Sequence, residues 1–374
     1  MTKVIVLGGG IAGLATAISL QREGIEVHVY EKTRELKPVG AGIMIAANAT
    51  RIFNEWGLTN ALKAKGHLLQ QLLILSEKGK VLSALNPNPQ PDQTIAIHRA
   101  DLHQILMDEL HATPVSLGKK AVHVLQEPKS VTVAFEDGTV AEADYAIGAD
   151  GIHSAVRQQI LPHVKNRYAG YTCWRGVAVC KDLKLGSHLH EIWGPEGRFG
   201  YMPLSSSKVY WYILMNTAPN HKELSALTVH DLSKKLQAYP AIVGDILKHA
   251  HEQPLIHHDV YDIPLMDHYA FGRIALVGDA AHAMTPNLGQ GACQGIEDAY
   301  VLGKCLAESL EYGLQNYENH RLQRVNRICK IAKQVGVMSQ FDSPLLCAIR
   351  NTVMRAASPS LLRNQTRYIY EYTY

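Results

Sequence analysis

An apolar run, Val4-Ile-Val-Leu7, enters the turn Gly8-Gly-Gly10-Ile11-Ala12-Gly13 and leaves it as a helix-like stretch from Leu14 to Arg22. Few folds accept that order of strand, G-x-G-x-x-G turn and helix. The glycines permit a tight turn and let a pyrophosphate approach the backbone, while the helix N-terminus offers free N–H groups and the positive end of its dipole. A second strand, Glu26–Tyr30, then delivers Glu31 and Lys32, and a carboxylate at that place accepts hydrogen bonds from ribose hydroxyls. A glycine turn used only for packing would need no acid there. Val4 to Leu20 is apolar enough to be read as a signal peptide or membrane span, but its glycines, its single preceding Lys and its length argue against both.

A second element of the same kind lies far along the chain. Ile274-Ala-Leu-Val-Gly278-Asp279-Ala-Ala-His282-Ala-Met-Thr-Pro286-Asn-Leu-Gly289-Gln290-Gly291-Ala292 again runs from apolar strand to glycine turn to helix. Two such elements separated by most of the protein predict one extended ligand held at two places. Between them the texture alters. Val122–Leu125 and Ser130–Phe135 alternate like exposed antiparallel strands, Asp137-Gly138 makes a hairpin turn, and Asp144–Asp150 returns as a buried strand. From Tyr168 to His268 the chain is strand-rich and aromatic; in Lys208–Met215 the residues Tyr210, Tyr212 and Leu214 share one face while Trp211, Ile213 and Met215 share the other. The predicted organisation is a discontinuous nucleotide domain (1–167 with 269–330), an interleaved sheet domain (168–268) that covers the substrate, and a C-terminal helical segment (331–374). Helices are expected at Ala47–Trp56, Thr228–Tyr239, Ala241–Ala250 and Gly291–Leu310, and irregular loops at Lys37–Gly42 and Asn86–Pro91. The end, Glu371–Tyr374, is expected to fray.

A net charge of +3 with 19% charged residues gives no basis for nucleic-acid binding or stable membrane association. The six cysteines form no C-x-x-C and read as reduced thiols of a cytosolic protein. The nineteen histidines, including His249, His251, His257 and His258, lack metal-ligand spacing, so no metal is expected.

Three motifs stand in order: Gly8-x-Gly10-x-x-Gly13, Asp150-Gly-Ile-His-Ser154-Ala-Val-Arg157, and Gly278-Asp279 with His282, Pro286 and Gly289-Gln290-Gly291. The set closely resembles the class A flavoprotein monooxygenases, which include para-hydroxybenzoate, salicylate and urate hydroxylases. The resemblance implies an α/β fold with a Rossmann-like FAD domain of the glutathione-reductase type, one tightly held FAD, and NADH or NADPH as transient reductant. It also implies that O2 adds to the reduced flavin as a C4a-hydroperoxide whose distal oxygen enters an electron-rich ring. Asp279 would bond the ribityl chain, and the helix beginning near Gly291 would stabilise charge gained at flavin N1 and O2. Gly42, Pro286, Gly289, Gln290, Gly291 and Ala292 would line the ring. Arg99 would lie near the phosphates and ribityl chain, although a surface ion pair with Asp101 or Glu109 fits the sequence equally. Val122 would meet the adenine through its backbone. Asp150, with Ser154 and Arg157, would belong to an element shared between FAD and pyridine nucleotide, though a helix cap would look the same. There is one dinucleotide fingerprint, and the W-x-W-x-I-P pattern of flavin halogenases is missing.

For the substrate, a phenolate or heteroaromatic anion calls for a cation and hydrogen bonds more than for a base. Arg198, before Met202-Pro203, and Tyr210 match an arginine and a tyrosine of the urate hydroxylases and are the candidate catalytic residues; Arg198 read without the resemblance is a solvated arginine opening an edge strand. Arg175, in Cys173-Trp-Arg-Gly176, reads as a fold-supporting arginine, and His282 as a structural hydrogen-bonding histidine. The expected enzyme hydroxylates a small aromatic or heteroaromatic compound, urate-like purines first, as a monomer or homodimer. Three alternatives stand beside it: an epoxidase or tailoring oxygenase on a larger apolar substrate, a non-catalytic flavin-binding protein, and an oxidase or dehydrogenase of the same nucleotide fold.

Overall fold

The computed structural model describes residues 2–36, 41–88, 92–251, 254–356, 367–372 and 374. Most of the Lys37–Gly42 loop and the end of the Asn86–Pro91 loop lie outside the described residues.

Lys3–Leu7 pairs in parallel with Glu26–Glu31 on one side and Tyr145–Gly148 on the other. Lys3–Leu7 and Tyr145–Gly148 are buried almost throughout because both faces of the sheet are covered there, while Glu26–Glu31 alternates and buries Val27, Val29 and Glu31. The finished sheet runs Ala270–Phe271, Ile274–Leu276, Tyr145–Gly148, Lys3–Leu7, Glu26–Glu31, Val115–Leu117, parallel except at the first pair. Helices Ile11–Arg22 and Gly291–Glu308 cross at small residues. A Cβ at Gly303 would strike Ser19, and one at Gly295 would come within 2.9 Å of the Ala12 methyl. The same methyl would lie 2.7 Å from a Cβ at Gly278. Close packing at these glycines therefore brings the two distant glycine motifs side by side.

The second large sheet has seven strands in the order Ile256–Asp262, Arg167–Val179, Lys208–Asn216, Gly197–Pro203, His188–Gly194, Gln71–Ser76, Val81–Leu85. The sheet of the 168–268 segment is thus extended by two strands from residues 71–85, the first of them parallel to His188–Gly194. Its outer face, with Trp174, Phe199, Trp211 and Ile213, packs under helices Val229–Lys235 and Ala241–Lys248. Its inner face turns Tyr210 and Val177 onto the core of the nucleotide-binding part. The two-faced alternation read at 210–215 is the reason one strand can serve both sides. A separate antiparallel sheet is built from Ala121–Gln126, Val131–Phe135 and Val140–Ala143, with Gly138 at φ +82° in the expected turn.

Two expectations are corrected. Gly197–Pro203 is an interior strand, flanked by Lys208–Asn216 and His188–Gly194, so Arg198 does not open an edge; it is 1% exposed. The C-terminus is anchored, not frayed. Arg324 donates to the carbonyls of Tyr368 (2.7 Å) and Ile369 (3.1 Å), its guanidinium lies 4.4 Å from the Tyr372 ring, and Arg51 donates to the Tyr372 carbonyl at 3.0 Å. Aromatic faces over arginines hold the tail where apolar burial alone would not. All six cysteines are unpaired, and among the described residues no helix is long and apolar enough to cross a membrane.

Candidate cofactor and substrate site

The first glycine turn divides into glycines required by the protein and one that the protein does not need. Gly8 has φ +117°, and a side chain there would strike the Ala149 carbonyl, while a Cβ at Gly13 would collide with the Gly8 carbonyl. Gly10 is different: its φ of −77° is ordinary, and nothing lies within 4 Å of a Cβ built on it. It is the N-cap of Ile11–Arg22, and no side chain caps that helix. An open face over uncapped N–H groups, kept clear by a glycine that folding does not demand, fits a pyrophosphate. Glu31 closes the far side. Its buried carboxylate accepts from Gly9 N–H at 2.6 Å and Thr33 N–H at 2.9 Å. Lys32 is exposed beside it. The chain before Val122 bonds back here, Lys119 N–H to the Glu31 carbonyl and Gly118 N–H to that of Thr33, both at 2.8 Å. Val122 itself is half exposed on the neighbouring sheet.

The second turn presents the same design. Gly278, at φ 57°, leads into a short helix that opens with Asp279, whose side chain is exposed. Pro286–Leu288 forms a 3-10 turn closed by Gly289 at φ 62°, and Gly291–Glu308 begins with no side-chain cap on its N–H groups. Asp279 lies beside that helix start; a Cβ at Gly291 would be 4.0 Å from its Oδ1. Ala292 is half-buried in the first turn. Gln290 is buried and exchanges hydrogen bonds with Asn48, so the loop is held from behind. Arg99 stands at the N-terminus of Arg99–Asp108 and forms no ion pair with Asp101 or Glu109. Confinement and the Arg175 charge lower its proton affinity, and Asp279 draws it back.

Asp150 and Ser154 do the capping work that the sequence left open. Asp150 Oδ2 accepts from Ala155 N–H at 2.7 Å and Ser154 Oγ accepts from Arg157 N–H at 2.9 Å. Arg157, fully buried, donates to the carbonyls of Asp279 (3.3 Å) and Ala280 (2.9 Å). The middle motif is thereby pinned to the third.

The inner face of the seven-stranded sheet closes the site from above. Gly42, on the strand Gly42–Ile45, is pressed by the Tyr210 ring, whose Cβ and Cγ would lie 2.5 Å from a side chain there. Gly42 is thus needed to seat the substrate sheet on the nucleotide part. Cys173, Arg175, Tyr210 and Tyr212 share this face, since opposed residues of antiparallel strands point the same way. Burial pushes the phenols of Tyr210 and Tyr212 well up and the Cys173 thiol up to about 11, so all three are neutral donors at neutral pH.

Several residues that sequence reading passed over hold this site. Asn287 accepts from Arg198 at 2.8 Å and donates to the Ala332 carbonyl and Thr285 hydroxyl, both at 2.9 Å. Glu297 and Asp298, buried in the helix after the loop, meet Arg321 and Arg324. Asp298 also accepts from Gly278 N–H at 2.8 Å and from His282 at 2.5 Å, which gives His282 the structural role expected of it. The available signal was a pair of acids within an otherwise apolar helical run.

Arg198 is committed to the protein. Its guanidinium donates to Ser339 (2.6 Å) and Asn287 and lies 3.4 Å from Glu191. Arg198→Ala would leave Glu191 enclosed without its cation and free Asn287 from one partner. It is expected to lower stability by about 3 kcal/mol, read in denaturant melts of the apoprotein; an unchanged midpoint would show that these contacts contribute nothing.

With this geometry stand four likenesses. A sequence-family profile described as an FAD binding domain matches residues 1–332. The chain is 32% identical over 376 residues to aurachin C monooxygenase/isomerase of Stigmatella aurantiaca, covering 99% of this chain and 98% of that one. It is 32% identical over 361 residues to 2-heptyl-3-hydroxy-4(1H)-quinolone synthase of Pseudomonas aeruginosa, covering 94% and 93%. Among solved structures, Klebsiella pneumoniae HpxO complexed with FAD and uric acid superimposes with a TM-score of 0.89 at 27% identity, over 98% of this chain and 95% of that one.

Proposed function

The chain belongs to the class A FAD-dependent monooxygenases, and we propose that within this family it hydroxylates a heteroaromatic ring of the quinolone type, using NADH or NADPH and O2. Bound FAD, once reduced, supplies the activated oxygen that the ring takes up. The protein's own residues do the rest. The turn at Gly10 and the uncapped helix at Ile11 receive the pyrophosphate, Glu31 the ribose, and Asp279 the ribityl chain, while the helix start at Gly291 and Ala292 offers N–H donors to the ring edge that gains charge. Residues 1–167 with 269–330 hold the cofactor, apart from the strands Gln71–Ser76 and Val81–Leu85, which join the seven-stranded sheet that covers it from above.

The observation that carries the substrate class is the inner sheet face. Tyr210, Tyr212, Cys173 and Leu214 form an aromatic and apolar lining, with Tyr210 over Gly42 and Arg175 the one cation among them, whereas Arg198, the cation expected to hold an anion like urate, is committed to Glu191, Asn287 and Ser339. A lining of apolar atoms and neutral donors with a single cation, Arg175, suits a ring with one ionisable edge better than a purine that is polar on all its edges. The aurachin C and heptylquinolone enzymes, a third of whose residues this chain shares, support the same reading.

The test is consumption of NADH or NADPH by the FAD-loaded protein in isotopically labelled O2, with 4(1H)-quinolone, 2-heptyl-4(1H)-quinolone, urate, salicylate and hydroxybenzoates. A quinolone is expected to accelerate consumption and to gain one labelled oxygen atom. Acceleration by urate alone would reverse the assignment, and peroxide without labelled product from any compound would remove the hydroxylase reading.

A further inference from the structure

Arg175 sits on the inner face of the substrate sheet, opposite Tyr212 on one neighbouring strand and Ile256 on the other. One step along the same face is Cys173, opposite Leu214 and His258. The other enclosed arginines of the site are all engaged: Arg157 with backbone carbonyls, Arg198 with Glu191 and Asn287, Arg321 and Arg324 with Glu297. Arg175 is not. Among the described residues no carboxylate pairs with it, and Tyr210 lies diagonally across from it on the neighbouring strand, on the same face.

Arg175 is half-buried, and a guanidinium partly withdrawn from water with no carboxylate beside it is open to an anion that supplies the charge. The surroundings sharpen the point. Arg99 approaches from the nucleotide side closely enough to feel the Arg175 charge, and His258 has its proton affinity lowered to about 4 by burial, Arg175 and His257. Asp279 acts on Arg99 and Asp259 on His258, and neither pairs with Arg175. The inner face therefore carries an arginine without a carboxylate partner beside the neutral phenol of Tyr210.

We propose that Arg175 is the residue that binds the ionised ring oxygen of the substrate, with the Tyr210 hydroxyl as second donor. This deepens the hydroxylase reading and rests on it. The enzyme would then select rings that carry an enolic or phenolic oxygen beside the carbon to be hydroxylated. Loss of the O–H proton to solvent leaves an oxyanion that the guanidinium stabilises, and the oxyanion raises electron density at the adjacent carbon. Arg175 is the cation that sequence reading sought in Arg198.

The test uses the FAD-loaded wild type, Arg175→Met and Arg175→Lys, each first checked for flavin content. 2-Heptyl-4(1H)-quinolone, urate and salicylate are titrated against the flavin absorbance across neutral to alkaline pH. Arg175→Met is expected to keep FAD and to bind the responsive compound about 10- to 100-fold more weakly, the loss of one charge-assisted hydrogen bond. Ionisation of the bound compound moves to higher pH, and Arg175→Lys restores most of both. Equal affinity in wild type and Arg175→Met overturns the proposal. So does loss of FAD from both variants, or a changed flavin reduction potential with unchanged ligand affinity, since either assigns Arg175 to the cofactor. If the wild type responds to none of the three compounds, the hydroxylase reading fails first and takes this inference with it.

Discussion

Gly10→Val is expected to give a folded protein that no longer holds FAD. The position has an ordinary φ of −77° and open space where a Cβ would point, so the folded chain accepts a side chain at a cost of about 0.5 kcal/mol or less, as at an exposed site. The isopropyl group instead occupies the face over the uncapped helix at Ile11, where pyrophosphate oxygens would take the free N–H groups. FAD affinity should fall by at least about 100-fold, near 2.7 kcal/mol. Gly13→Val is the contrast. Its Cβ would collide with the carbonyl of Gly8, itself wedged against Ala149, and a backbone clash in the core of the sheet–helix junction should cost more than about 4 kcal/mol and leave little folded protein. Thermal melts of both apoproteins, with FAD titrations followed by flavin fluorescence, separate the cases. Wild-type affinity in Gly10→Val would mean that the pyrophosphate lies elsewhere; a normally folded Gly13→Val would mean that the turn packs less tightly than its contacts indicate.

That contrast also marks what a sequence can disclose. The strand–turn–helix elements were legible because their signals are local: Gly8, Gly10 and Gly13 specify a turn, apolar runs without alternation specify buried strands, and Tyr210–Met215 displays a period of two. Which glycine serves the fold and which serves the ligand was not legible, because it depends on Ala149, more than a hundred residues away. The joining of Gln71–Ser76 to His188–Gly194 escaped for the same reason. Arg198 was chosen for its place in a motif, and only the fold reveals Glu191, Asn287 and Ser339 around it. The end at Glu371–Tyr374 was expected to fray; Arg324, which lies beneath the Tyr372 ring, stands on another helix and is placed there only by the fold. Asn287 was passed over because one amide in a loop has no pattern.

Arg321→Met should be the most damaging single change away from the cofactor. Arg321 is fully buried and pairs with Glu297 and with Asp298 Oδ1 at 2.8 Å, while also donating to the Gln294 side chain at 2.7 Å. Burial pushes the Asp298 carboxyl up, but His282 and Arg321 outweigh it and hold it at about 2; Glu297 is held down in the same way against its burial by Arg321 and Arg324. Removing the cation leaves Glu297 with Arg324 alone and Asp298 with His282 alone, both enclosed, and is expected to cost about 3 kcal/mol at neutral pH. The sign with pH follows from the depressed values. In the wild type these carboxylates contribute stability that is present above their unfolded values, near 4, and is lost as pH falls toward 2. In Arg321→Met their proton affinities rise, so mild acid neutralises the stranded charges and the deficit relative to wild type should shrink between about pH 7 and pH 4. Urea unfolding of both proteins across that range decides it: a deficit independent of pH would assign the loss to packing of the long side chain. The damage should reach the cofactor as well. Asp298 accepts from Gly278 N–H, and Glu297 binds Asn48, which holds Gln290. The two ends of the loop between Gly278 and Gln290 are therefore tied to the acids that Arg321 neutralises, and a variant that still folds at pH 7 should release FAD more readily than wild type.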